Sequence, residues 1–147
     1  MSPAAVPSEN VELVKAFFPD GSLDLIALTT SGLTDEFRAI FAPDFEVEFV
    51  PNTPDAETTK FRGEAGLREG WRDWLEPWDT YRGEVEEVTE AGDDVIVTAR
   101  VEARARRGGV QFEHPAAVVM TVTDGKVSRI RFYLDRADAY RDIERRP

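Results

Sequence analysis

Hydrophobic residues recur at helical spacing through the first third of the chain and then, from Asp44, at every second position. Val11, Leu13, Val14, Phe17 and Phe18 form one wide apolar face, which predicts a helix over Glu9–Phe18 that stops at Pro19-Asp20-Gly21. Ser8 with Glu9 and Glu12 supplies its start signal. Two short helices are expected next, one around Leu23, Ile26 and Ala27, the other around Phe37, Ile40 and Phe41 with Thr34 as N-cap. Phe45, Val47 and Phe49 alternate with Glu46 and Glu48, the pattern of a half-buried strand. Beyond a polar loop starting at Pro51, Gly63 opens a helix that places Leu67, Trp71, Trp74, Leu75 and Trp78 on one stripe, with Pro77 near its end.

The remainder reads as a meander. Strands over Arg82–Val88, Val95–Arg106, Gln111–Thr123 and Lys126–Leu134 are separated by turn signals at Ala91-Gly92-Asp93, Gly108-Gly109 and Asp124-Gly125. Asp135 then caps a last helix carrying Ala137, Tyr140 and Ile143. Residues 1–7, with Pro3 and Pro7, read as a flexible N-terminal arm, and 8–147 as one domain. Helices segregated on one face of an antiparallel sheet make an α+β domain.

Composition narrows the chemistry. Twenty-nine acidic against 18 basic residues give 147 residues a net charge of −11, which disfavours a nucleic-acid partner. The absence of cysteine excludes disulfides, thiol nucleophiles and cysteine metal sites, and a single histidine removes His-rich ones, so no cofactor and no metal are expected. No apolar run reaches the roughly 18–20 residues of a membrane span, and Met1–Pro7 lacks the regions of a signal peptide, so a cytoplasmic protein with no membrane contact is expected.

Several local motifs carry a family resemblance: Glu9-Asn10-Val11-Glu12-Leu13-Val14, Ala42-Pro43-Asp44-Phe45-Glu46-Val47, Phe61-Arg62-Gly63, Trp71-Arg72-Asp73-Trp74, Thr123-Asp124-Gly125-Lys126-Val127 and Phe132-Tyr133-Leu134-Asp135-Arg136. In this order, over nearly the whole chain, they resemble the SnoaL-like branch of the nuclear transport factor 2-like (NTF2-like) superfamily. The resemblance implies a cone, a strongly curved mixed or antiparallel sheet covered by N-terminal helices, with an interior that takes a small apolar or aromatic molecule. It also implies a cofactor-independent isomerase, cyclase, dehydratase or hydrolase. The alternative within the same superfamily is a non-catalytic ligand-binding or dimerisation module, because fold alone does not select an activity.

Strand parity supplies candidate residues. If even-numbered positions of the long strands face the cavity, as the apolar Phe112, Val118, Met120, Val122, Ile130, Phe132 and Leu134 suggest, then Arg100, Glu102 and His114 face it too. Arg100-Val101-Glu102 is similar to the Arg-x-Asp pair of limonene-type epoxide hydrolases, although the water-activating aspartate of that family falls on Phe132 here. The competing reading of Arg100, Glu102, Arg104 and Arg106 is a solvated sheet face with cross-strand ion pairs. His114 could move a proton or hold a carbonyl oxygen, or be a packed or rim histidine. Ketosteroid-isomerase chemistry is excluded, since Phe49 or Val50 stands where its aspartate base would be. The expected pocket lining is Phe49, Trp74, Trp78, Phe132 and Leu134, with Trp71 in the core. Small side chains at Ala99, Val101, Ala117 and Val119 suggest a flat face through which the sheet could pair as a homodimer.

Overall fold

The computed structural model describes residues 9–15, 21–24, 35–50 and 59–144. In chain order they form α1 (Glu9–Lys15), β1 (Ser22–Asp24), α2 (Asp35–Ile40), β2 (Phe41–Val50), β3 (Thr59–Arg62), α3 (Gly63–Leu75), β4 (Trp78–Ala91), β5 (Asp94–Ala105), β6 (Gln111–Thr123), β7 (Lys126–Tyr133) and α4 (Arg136–Glu144). The seven strands make one sheet in the order β1-β4-β5-β6-β7-β2-β3. β2 and β7 run parallel and the other neighbours antiparallel, so the sheet is mixed and its edges stay open. The expected arm over 1–7, the helix end at Phe17 and Phe18, the apolar pair Ile26 and Ala27, the cap Thr34 and most of the loop after Pro51 lie outside the described residues.

Four boundaries differ from the sequence reading. Leu23 sits in a short strand paired with Gly83 rather than in a helix. Phe41 begins β2 instead of ending a helix, and is buried with its ring stacked 4.2 Å from Phe45. A strand, β3, occupies Thr59–Arg62, where only the end of a loop is legible. Trp78 belongs to β4 rather than to the α3 stripe, because Pro77 cannot continue the helix and the chain turns there into the strand.

The turns follow their chemistry. Asp124 and Gly125 both take positive φ (52° and 77°) in the two-residue β6–β7 connection, the geometry of a tight hairpin turn. At the far end, Asp135 Oδ1 accepts the backbone N–H of Ala137 at 3.0 Å and caps α4 as expected.

Two apolar layers flank the sheet. Val11 and Val14 of α1 and Leu67, Trp71 and Leu75 of α3 pack on the inner face against Phe45, Val47, Phe49, Val95, Val97, Met120 and Ile130. On the outer face Ala139 and Ile143 of α4 cover Ile96, Ala117, Val119 and Tyr133. α3 approaches β2 closely through Gly70, where an added Cβ would lie 2.3 Å from the Phe49 ring. Gly70→Ala is therefore expected to destabilise the fold by about 1–3 kcal/mol, read as a lower urea midpoint at unchanged slope. An unchanged midpoint would mean that the Phe49 ring yields freely.

Candidate functional site

Cross-strand register decides which side chains meet on the inner face. Val101 pairs with His114, Ala103 with Phe112, and Ala99 with Ala116 across β5–β6, while Tyr81 pairs with Ala103 across β4–β5. Residues directly opposite on neighbouring strands share a face. His114, Phe112 and Tyr81 thus project to the inner side over a floor of Ala99, Val101, Ala103 and Ala116. A bulge between Trp78 and Thr80 lets Trp78 and Tyr81, three residues apart, both turn inward.

The same register corrects the parity expected for β5. Even positions do face inward on β6 and, at Ile130 and Phe132, on β7, where Val118 pairs with Phe132, but across β5–β6 an odd residue stands opposite an even one. Arg100 and Glu102 therefore share a face with each other, as their spacing requires, and that face points away from His114. Both are exposed. Arg100 Nη2 pairs with Glu113 Oε1 at 2.6 Å and Arg104 with Asp79 at 3.6 Å, which is the solvated, cross-strand-paired arrangement. Nor do the four small residues make one flat face: Ala99 and Val101 point inward, whereas Ala117 and Val119 lie outward beneath α4.

The aromatic residues divide into a packed end and an open one. Phe49, 2% exposed, stacks on Phe132 at 4.9 Å and meets Trp71 and Trp74 at 5.7 and 5.3 Å. Trp71 in turn lies 4.4 Å from Phe132, so these rings fill the interior with their own bulk. Leu134 stands just beyond β7, half-buried, with its N–H bonded to Val50 O, and belongs to neither apolar layer. Toward the β5–β6 turn the packing loosens: Trp78 is half-buried and Phe112, 5.4 Å from it, is 48% exposed. Tyr81 bridges the two ends, 6.0 Å from Trp78 and 6.4 Å from the His114 ring.

Two polar groups stand in this apolar setting. The Trp74 indole N–H donates to Tyr81 Oη at 3.2 Å, and among the described residues no acceptor takes the phenol proton. His114 Nε2 is buried and has no hydrogen-bond partner. Burial pushes the His114 pKa below the ordinary 6.5, opposed by the nearby Asp135 carboxylate. Burial likewise raises that of Tyr81, offset by the bond from Trp74. Both groups are therefore neutral at pH 7: the phenol holds a proton to give, and one of the two imidazole nitrogens is without a proton.

The sole histidine makes the first shift directly measurable. Its ring signals should titrate with a midpoint below 6.5. Since the folded ring resists protonation, its stabilising contribution is complete above that ordinary value and is lost as pH falls through the depressed one. A midpoint at or above 6.5 would contradict the burial described.

A concavity lies over β2, β3 and β7, lined in part by Glu46, Glu48, Lys60, Arg62 and Arg129. Its charges neutralise one another: Arg129 pairs with Glu46 at 3.0 Å, Arg62 with Glu46 at 3.7 Å and Lys60 with Glu48 at 4.0 Å. Among the described residues no cluster of three or more His, Asp or Glu side chains could hold a metal ion, and no helix is long and apolar enough to cross a membrane.

Tyr81 is the site residue that the sequence pattern misses. Reading the strand from Arg82 leaves it out, and the bulge at Trp78 breaks the alternation that would have placed it. The available signal was Pro77, which marks a strand start at Trp78.

A family model described as SnoaL-like domain matches residues 23–130. The structure described as a SnoaL-like polyketide cyclase from Jannaschia sp. CCS1 superposes with a TM-score of 0.67 at 22% identity, covering 100% of this chain and 99% of that one. TerC, co-crystallised with polyporic acid, gives 0.59 at 22% identity over 93% and 99% of the two chains. A protein of ketosteroid isomerase-like fold from Catenulispora acidiphila DSM 44928, in complex with trimethylamine, gives 0.58 at 16% identity over 84% and 85%. No curated protein matches the chain. The architecture is the expected α+β, NTF2-like one, an unclosed mixed sheet consistent with a cone.

Proposed function

We propose, from the premise that the chain belongs to the SnoaL-like domain family, that it binds a small, uncharged, planar apolar or aromatic molecule carrying a carbonyl oxygen and moves a proton on it without a cofactor. The observation that carries this reading is the pair of free polar groups, Tyr81 O–H and His114 Nε2, side by side on an inner face otherwise built of aromatic and small apolar residues. Structures of the same fold with polyporic acid and with trimethylamine support an interior that takes small molecules.

The step itself balances within these residues. His114 Nε2 takes a proton from the carbon next to the carbonyl, and the C–H electron pair forms the enolate double bond while the oxygen gains the charge. Tyr81 O–H donates to that oxygen. Return of the proton from the imidazolium to the same or another carbon gives exchange or isomerisation. Arg100 and Glu102 take no part, because they stand on the other side of the sheet.

The probe 2-tetralone presents a bicyclic aromatic face, a ketone and an acidic benzylic position. In deuterium oxide the protein should accelerate deuterium incorporation there above the buffer rate. A rate equal to that of buffer at saturating protein would leave a non-catalytic ligand-binding or dimerisation module, the second reading, in which an interior filled by Phe49, Trp71 and Phe132 performs no turnover.

A further inference from the structure

We infer that Trp74 is a positioning residue for Tyr81: by occupying the phenol oxygen it directs the phenol proton at the ligand, and so selects ligands that present an acceptor oxygen. The inference rests on the functional reading above and names the ligand chemistry of the same site. Trp74 lies on the last turn of α3 and Tyr81 on β4, joined by the short Glu76-Pro77 connection, which holds the indole nitrogen 3.2 Å from Oη. Indole has a single N–H and no acceptor nitrogen, so in this bond the phenol oxygen can only accept.

That leaves Tyr81 with one proton and no acceptor for it among the described residues, on a side chain only 4% exposed. A buried O–H without a partner is costly, and a ligand oxygen at this point removes the cost, whereas a methylene group there preserves it. Accepting a bond also polarises the O–H and strengthens it as a donor, in keeping with the lowering effect of Trp74 on the phenol pKa. Trp74 is fixed for this task by the Phe49 ring at 5.3 Å. Phenylalanine at position 74 would keep much of the ring packing and lose the donor.

The test compares 2-tetralone with its methylene isostere, 2-methylenetetralin, by quenching of tryptophan emission. Wild-type protein should prefer the ketone about tenfold. Tyr81→Phe should abolish the preference, and Trp74→Phe should cut it several-fold, the ketone losing more affinity than the hydrocarbon. If Trp74→Phe keeps the full preference that Tyr81→Phe loses, the role of Trp74 is overturned and the proposed function stands. If Trp74→Phe weakens both probes equally, Trp74 is only a wall. If wild-type protein shows no preference, or binds neither probe, the functional reading falls and the inference with it.

A ligand-free measurement stands beside it in case Trp74→Phe does not fold. In Tyr81→Phe one indole N–H signal, that of Trp74, should exchange with solvent several-fold faster than in wild type. An unchanged rate would overturn the hydrogen bond on which the inference depends.

Discussion

His114→Ala should lower the rate of deuterium incorporation into 2-tetralone by about 10²–10⁴-fold, the range supplied by a positioned general base. Beside the His114 ring stand Tyr81, a proton donor at neutral pH, and a floor of Ala99, Val101, Ala103 and Ala116, none of which is a base. Tyr81→Phe should cost about 10²–10³-fold by removing the hydrogen bond to the developing enolate. Glu102→Gln should have no effect, since its carboxylate is exposed on the opposite face. Loss of exchange in Glu102→Gln, with His114→Ala retaining it, would reverse the assignment of faces.

The largest stability change is expected elsewhere, beneath α4. Asp94 and Arg131, 4% and 6% exposed, face each other at 3.7 Å, and Thr121 Oγ1 donates to Asp94 Oδ1 at 2.5 Å. Arg131 Nη1 donates to Tyr133 Oη, which itself donates to Asp142 Oδ2 on α4, so the pair is tied to the helix that covers it. Arg131 Nε and Nη2 are buried without hydrogen-bond partners, which leaves the guanidinium dependent on the charge of Asp94. Asp94→Ala should therefore cost about 3–5 kcal/mol in urea unfolding, the penalty of a buried charge that has lost its counter-ion. Adding Arg131→Met should recover most of that loss. A cost below about 1 kcal/mol for Asp94→Ala would place the pair among hydrated surface bridges instead.

Much of this architecture is legible in the sequence. The change of period at Asp44, the Asp124-Gly125 hairpin and the Asp135 cap each rest on local chemistry that tertiary contacts did not override. The site was harder, because face assignment on β5 depends on register. Val95, Ile96, Val97 and Thr98 are all buried, since the inner core covers two of them and the α4 side of the sheet the others, so alternation there carries no sign. His114 was placed on the right face because β6 does alternate in the relevant stretch, with Val118, Met120 and Val122 inward. Tyr81 was hidden by a bulge, and β3 by having only four residues with one partner strand. Parity is a reliable guide to a face only while the register stays unbroken.

The exchange and binding expectations depend on His114 and Tyr81 forming the polar centre of a ligand site. The most direct measurement follows the ring signals of the one histidine by heteronuclear NMR while 2-tetralone is added. The account predicts that both ring signals shift and saturate at the concentration that quenches tryptophan emission, and that in Tyr81→Phe saturation needs about tenfold more ketone. Ring signals that stay fixed while tryptophan emission saturates would place the ligand elsewhere and contradict it.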